Sequence, residues 1–359
     1  MTQDAPLRFA IQQLSQGRSL TAAAAAAAFE IVMRGEASPV QAAGLLMGLR
    51  AKGETAEEVA GAAEAMRAAM VRLDAGDLDG LVDTCGTGGG QVGTLNISTT
   101  AAFVVAGAGV PVAKHGNRSY TSRSGSADVL EALGIDIALP PARAAAVLQE
   151  AGIAFLFAPT YHPAMRHIGP VRRELGVATI MNLLGPLANP AGVRRQVIGV
   201  ASEDRAPLVA EALARLGATH ALVVHAAIGM DEVSPSGATW AWEVRDGAVA
   251  RWDLSPGAHG LECDDLAGLQ GGEPEENASR VERLLEGEGA AVERCAVVLN
   301  AGAALYVAGR GWSLAEAIER ARTALDEGAG ARALAALRRA APRQPAAAAD
   351  GALATARPA

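Results

Sequence analysis

The chain has 359 residues, half of them hydrophobic and only 3% aromatic, which allows a large core built from Ala, Leu and Val and suits two domains better than one. Three widely spaced cysteines, Cys85, Cys263 and Cys295, form no CxxC pair and give an odd count, so they argue against a disulfide framework or a zinc site and fit a reducing cytoplasm. A formal net charge of −8 argues against a general nucleic-acid binder, and the start "MTQDAPLRFAIQQL", with only short or Gly/Pro-broken apolar runs beyond it, carries no export signal or membrane span.

The first seventy or so residues read as helices. "TAAAAAAAFEIVMRG" consists of strong helix formers and stops at Gly35, Ser38-Pro39 offers an N-cap followed by proline at the first helical position, and Thr55-x-x-Glu58 has capping-box spacing. Further on, the strand-like runs "PVAKHG", "AFLFAP", "RQVIGVA" and "HALVVHA" alternate with the helical patterns "SADVLEALG" and "APLVAEALARLG". That alternation predicts an α/β domain with helices on a central, mainly parallel sheet, preceded by a small all-helical domain. The boundaries expected are 1–73 for the helical domain and 74–340 for the α/β domain. The Ala/Pro-rich run 341–359 reads as a disordered tail.

One stretch, "DTCGTGGGQVGTLNIST" from Asp83, demands a chemical reading. It contains a GxGxxG match, yet the acidic residue expected about 20 positions on for a dinucleotide's ribose is missing, and the helical pattern begins only after Asn96. No Gly-Lys-Ser/Thr follows, so a P-loop fails as well. From Thr84 to Ala127 there is no Asp or Glu, while Lys114, Arg118 and Arg123 fall inside the window. Ser98 and Thr99 stand where a helix N-terminus exposes free N–H groups, the natural cradle for a phosphate, and neighbouring glycines admit close backbone approach. The run therefore predicts an anion site on an acidic protein.

With "RGEASPVQAAGLLMGLRAKGET", "GTGG" with "TLNIST", "KHGNR" with "SGSADVLEALG", "FAPTYHPAMRHIGPVRRELG", "NLLGPLANPAG", "GMDE" and "GGEPEENA" in this order, nearly the whole chain resembles the anthranilate phosphoribosyltransferases of tryptophan biosynthesis. The resemblance implies a nucleoside phosphorylase/phosphoribosyltransferase-like fold, in which helices from about 166–186 join the small domain. It implies transfer of a 5-phosphoribosyl group from phosphoribosyl pyrophosphate to anthranilate with Mg²⁺ present, in a cytoplasmic homodimer contacting through the helical domain. Gly86, Gly88, Gly89, Gly90, Thr94, Asn96, Ile97, Ser98 and Thr99 would line the donor site. Lys114, His115, Gly116, Asn117, Arg118, Ser119, Tyr120, Thr121 and Ser122 would continue it, and Ser126 would close it. Lys114, Ser98 and the metal would stabilise charge. Asp231 and Glu232, with Ser98, would hold the Mg²⁺, whose preference for few carboxylates plus substrate oxygens such a pair suits. Gly86, Asn117 and Arg172 would meet anthranilate, with His115 and His162 as candidates for flanking its ring.

The pattern departs from the family at several places. Gly90 stands where an aspartate is usual, Tyr161 where a paired histidine is common, Ala178 where arginine is, and Met181 where phenylalanine is. The last three leave a paralogue with a different aromatic acceptor open, while Gly90 raises the question of altered Mg²⁺ dependence or weaker donor binding. Two other readings compete: a pyrimidine nucleoside phosphorylase, which would have no use for "KHGNR" with "MDE", and a non-catalytic nucleic-acid-binding relative, which the acidic charge disfavours.

Overall fold

In the computed structural model, residues 4–90, 92–119 and 123–343 are described. The chain begins with four helices, α1 (Ala5–Ser15), α2 (Ala22–Met33), α3 (Pro39–Lys52) and α4 (Ala56–Ala69). The starts of α3 and α4 follow the sequence signals, Ser38 with Gln41 and Thr55 with Glu58 forming reciprocal capping boxes, and α2 starts on Thr21, whose side chain accepts from Ala24 N–H. Alanine and glycine let α2 and α4 approach so closely that a Cβ on Gly61 would lie 2.1 Å from the Ala22 carbonyl oxygen. Glu58 is wholly buried, yet it accepts from Leu20 N–H, Thr55 N–H and the Lys52 ammonium.

A regular α/β succession follows: β1 (Val82–Gly86), α5 (Ile97–Gly107), β2 (Val112–Gly116), α6 (Ser126–Ala132), α7 (Pro141–Ala151) and β3 (Ile153–Phe157). Three helices, α8 (Ala158–Tyr161), α9 (Met165–Leu175) and α10 (Met181–Leu187), then precede β4 (Arg195–Gly199), α11 (Ala206–Arg215) and β5 (His220–Ala226). A hairpin of β6 (Thr239–Arg245) and β7 (Ala248–Leu254) and the helices α12 (Pro274–Leu285), α13 (Ala291–Val307), α14 (Leu314–Asp326) and α15 (Ala329–Ala340) complete the described chain. The sheet order is β3-β2-β1-β4-β5-β6-β7; neighbours run parallel from β3 through β5, and β6 and β7 are antiparallel.

Both faces of this sheet are covered, which explains the near-continuous apolar strands. Along β5, Leu222 and Val224 join the core beneath α5 and α13, while Ala221 and Val223 join a second core shared with α11 and α1–α4. Ile168 and Val171 of α9 and Leu183, Leu184 and Leu187 of α10 pack in that second core. The molecule is thus a small helical domain plus a larger α/β domain, as the sequence pattern predicts.

Two features go beyond the expected elements. The β6/β7 hairpin was not among the expected strands, although its turn, Asp246-Gly247 with both φ positive, is a strong hairpin signal. The first residues of the tail expected from 341 are ordered: Ala341 is buried, and Ala341 O and Arg343 N–H bond to Asp136 and Gly134. Residues 344–359 lie outside the described residues. Among the described residues no helix is long and apolar enough to cross a membrane.

Candidate active site

Strand order reverses beside β1: the chain moves outward through β2 and β3, then returns to place β4 on the other side. In open α/β sheets the crevice at the carboxyl ends of such strands is where ligands bind. Gly86, Gly116 and Gly199 end β1, β2 and β4, with Gly86 paired directly to Gly199. The glycine-rich loop leaves β1 at this point. Thr87 N–H donates to Gly199 O at 2.9 Å and the Thr87 hydroxyl accepts from Ala201 N–H at 3.2 Å, so the loop is anchored to β4's end. Gly88 and Gly89 then take φ values of 68° and 85°, which side chains rarely adopt.

The loop ends at α5, whose first residue is Ile97, so the expected helix start after Asn96 holds. The acidic pair after β5 meets this helix end. Ser98 N–H donates to Glu232 Oε1 at 3.2 Å, and the Asp231 carboxylate lies against Gly90, where a Cβ would come 2.4 Å from Oδ1. Val233, the next residue, is held on both its N–H and its carbonyl by the buried Asn300 side chain at 2.9 and 2.8 Å. Gly199 is needed at the base, since a Cβ there would be 1.7 Å from Asp231 O. Sequence reading missed Gly199 and Asn300 because neither lies near the motifs along the chain.

Burial pushes Glu232 up to about 8, with the adjacent Asp231 charge adding to it and Lys114 and Ser98 opposing it. Burial raises Asp231 too. Two half-buried carboxylates adjacent in the chain suit a divalent cation, which would favour the charged form of both. Among the described residues no group of three or more His, Cys, Asp or Glu gathers for a metal. A pair with a nearby serine fits Mg²⁺, which takes few protein carboxylates and completes its shell with water and phosphate oxygens.

Lys114 is 3% exposed in β2, and its ammonium donates to Thr84 O and, at 3.3 Å, to Ser98 Oγ. It lies beneath the α5 terminus, where it supports the cradle from behind. Burial lowers its pKa, and Asp83, Cys85 and Glu232 work against that. Asp83, also buried, accepts from His115 N–H at 3.2 Å and Asn189 Nδ2 at 2.8 Å, which locks β1, β2 and the 186–190 turn together.

The loop after β2 is the second wall. Asp128 accepts from Ser119 N–H and Gly125 N–H, and Ser126 Oγ donates to Asn117 O at 3.3 Å, which pins residues 117–119 to the start of α6. Gly125 has no room for a side chain, as a Cβ would be 2.3 Å from Ser119 N. Arg118 is paired with Asp128 and Glu131, which hold its pKa up, and lies 5.7 Å over the Phe157 ring. Its charge is therefore already matched by carboxylates. Tyr120, Thr121 and Ser122, also expected in the donor site, lie outside the described residues.

His115 and His162 are buried with ring centroids 5.0 Å apart. His115 Nδ1 is 3.1 Å from Gly185 O, which can only accept, so in the neutral ring Nε2 is the acceptor and His162 Nε2, at 3.2 Å, the matching donor. Burial lowers both, to about 3 and about 4, so the rings are neutral at pH 7. Arg172 is half-buried on α9, the helix whose Ile168 and Val171 pack in the second core.

Comparison with known proteins agrees with this layout. Residues 9–70 match the helical bundle domain of a glycosyl transferase family, and residues 78–331 match that family's a/b domain. An anthranilate phosphoribosyltransferase of Rubrobacter xylanophilus is 50% identical over 333 residues, covering 93% of this chain and 96% of the relative. The crystal structure of the anthranilate phosphoribosyltransferase from Thermus thermophilus superposes with a TM-score of 0.86 at 46% identity, covering 92% of this chain and 99% of that one. The Saccharomyces cerevisiae enzyme in complex with PRPP and Mg reaches 0.85 at 27% identity, covering 94% and 98%. The chain therefore belongs to the anthranilate phosphoribosyltransferase family.

Proposed function

We propose that this protein transfers the 5-phosphoribosyl group from phosphoribosyl pyrophosphate to the amino group of anthranilate, in tryptophan biosynthesis, with Mg²⁺ as cofactor. The observation that carries the reading is the meeting of the glycine loop, the α5 N-terminus and the Asp231–Glu232 pair in one crevice. An anionic donor bearing a metal needs both a nest of N–H groups and a few carboxylates, and the site offers them side by side.

In the reaction the amine nitrogen bonds to ribose C1 as the bond from C1 to the pyrophosphate oxygen breaks, and the amine releases a proton. Positive charge grows on the ribose and negative charge on the departing pyrophosphate, so catalysis rests on positioning and on matching charge. An aromatic amine is neutral at pH 7, which spares the enzyme a strong base. Gly86, Gly88, Gly89, Gly90, Thr94 and the Asn96–Thr99 run hold the donor's phosphates through backbone and hydroxyl groups. Ser98, backed by Lys114, directs positive potential at the leaving group. Asp231, Glu232 and Ser98 hold the Mg²⁺, which when bound neutralises pyrophosphate charge. Asn117 and Arg172 orient the acceptor, the guanidinium fork pairing with its carboxylate.

The protein acts in the cytoplasm as a homodimer through its helical domain, residues 1–73 with the helices of 166–186. Phe9 and Val40 of that domain, 51% and 82% exposed, are apolar surface of the kind an interface would cover. Mixing the protein with phosphoribosyl pyrophosphate, Mg²⁺ and anthranilate should extinguish anthranilate fluorescence. No loss at any Mg²⁺ concentration would overturn the assignment, and robust release of base from thymidine or uridine would replace it with a phosphorylase.

A further inference from the structure

The run "GGEPEENA" has no task in the site as described so far, yet the structure folds it directly over the glycine loop. Leu95 N–H donates to Leu269 O at 2.8 Å, Gly271 N–H donates to Gly93 O at 3.2 Å, and Thr94 bridges Gln270. Gly271 approaches so closely that a Cβ would lie 2.5 Å from Thr94 O. Arg280, fixed by Glu293 at 2.8 Å, holds the Gln270 carbonyl from outside.

Asn277 of α12, 1% exposed, stands at the centre of this contact. Its Oδ1 accepts from Gly272 N–H at 2.8 Å, and its Nδ2 donates to Asn96 Oδ1 at 3.1 Å. Asn96 Nδ2 in turn donates to Ser124 O at 3.2 Å in the loop after β2. These partners determine which way the Asn96 amide faces. An asparagine at an N-cap ordinarily turns its side-chain oxygen onto the helix's own free N–H groups. Asn96 occupies the N-cap of α5 and makes no such bond. Its oxygen accepts from Asn277 and Ser124 instead, so the Asn96 side chain does not compete for the terminus, whose Ser98 N–H meets Glu232.

We infer that Asn277 is a positioning residue for the donor: by holding the Asn96 side chain off the α5 N-terminus, it leaves the N–H groups there to Glu232 and to phosphate oxygens and ties the 93–96 segment to Ser124. The inference rests on the proposed function, since it assigns Asn277 to the donor half of that site.

Asn277→Ala and Asn277→Asp test it in the full-length protein. The aspartate is isosteric and still accepts from Gly272, but it has lost the donor that Asn96 requires. Both variants should raise the donor KM about tenfold or more, with kcat and the anthranilate KM within about twofold of the parent, a split that general destabilisation would not produce. The double variant Asn96→Ala/Asn277→Ala should be no worse than the worse single one, as expected for groups acting through each other. A donor KM within twofold of the parent in Asn277→Asp, or fully additive losses in the double variant, would overturn the inference. In the unmodified protein, donor should slow amide exchange over 269–277 as well as over 93–99, whether or not a variant folds; no slowing over 269–277 counts against it. An inactive parent would instead remove the proposed function.

Discussion

Gly90 shows how one position can be read twice. In sequence it is a gap where relatives usually have a carboxylate; in the structure the Asp231 carboxylate fills the space beside it, with no room for a Cβ. Gly90→Asp therefore should not restore a familiar site. It should push Asp231 aside and set a third negative charge against a pair whose burial already raises both pKa values. We expect the donor KM to rise about tenfold, roughly 1.4 kcal/mol, and the Mg²⁺ requirement to shift; steady-state kinetics across a Mg²⁺ series with both values unchanged would refute this. At the acceptor end, Arg172→Lys keeps the charge and loses the planar fork. The anthranilate KM should rise about tenfold while the donor KM stays put, and equal rises in both would show that Arg172 does not address the acceptor.

Among the elements, the tight crossing of α2 and α4 is the most sensitive to volume. The Cβ of Gly61→Ala would collide with the Ala22 carbonyl, a backbone atom that moves only with its helix. Overpacking of this kind costs about 1–3 kcal/mol, so a calorimetric melt should show a transition several degrees lower, and an unchanged melting temperature would argue that the helices slide freely. Caps were the most legible elements. Ser38 and Thr55 start helices where local chemistry says they should, because a cap depends on residues three apart in the chain. Asn96 is the exception. Its N-cap position is local, but its side chain answers to Asn277 and Ser124, far away in sequence.

For the whole molecule, acid should act partly through the buried histidines. His115 and His162 have folded-state pKa values of about 3 and about 4 against an ordinary 6.5, because burial disfavours the charged ring. The unfolded chain therefore binds more protons than the folded one as pH falls. Stability is full above about 6.5 and is lost progressively on acidification toward about 4. The raised Asp231 and Glu232 act with the opposite sign, so the histidine share is read by difference: across pH 7 to pH 4, His115→Asn/His162→Asn should lose less melting temperature on acidification than the parent, and an equal change in both would assign the loss to other groups, such as the depressed His220.

The sequence by itself determined the two-domain α/β plan, the helix starts, the anion character of the glycine loop and the family resemblance. Periodicity, caps and acid-free windows are properties of neighbouring residues, so they can be read from the chain. Only the tertiary structure brought the Asp231–Glu232 pair to the α5 N-terminus, put Lys114 behind that terminus, paired Arg118 with carboxylates and laid residues 269–277 over the loop. Those relations join strand ends and helices far apart in sequence, and the sheet's reversal between β1 and β4 decides which of them meet.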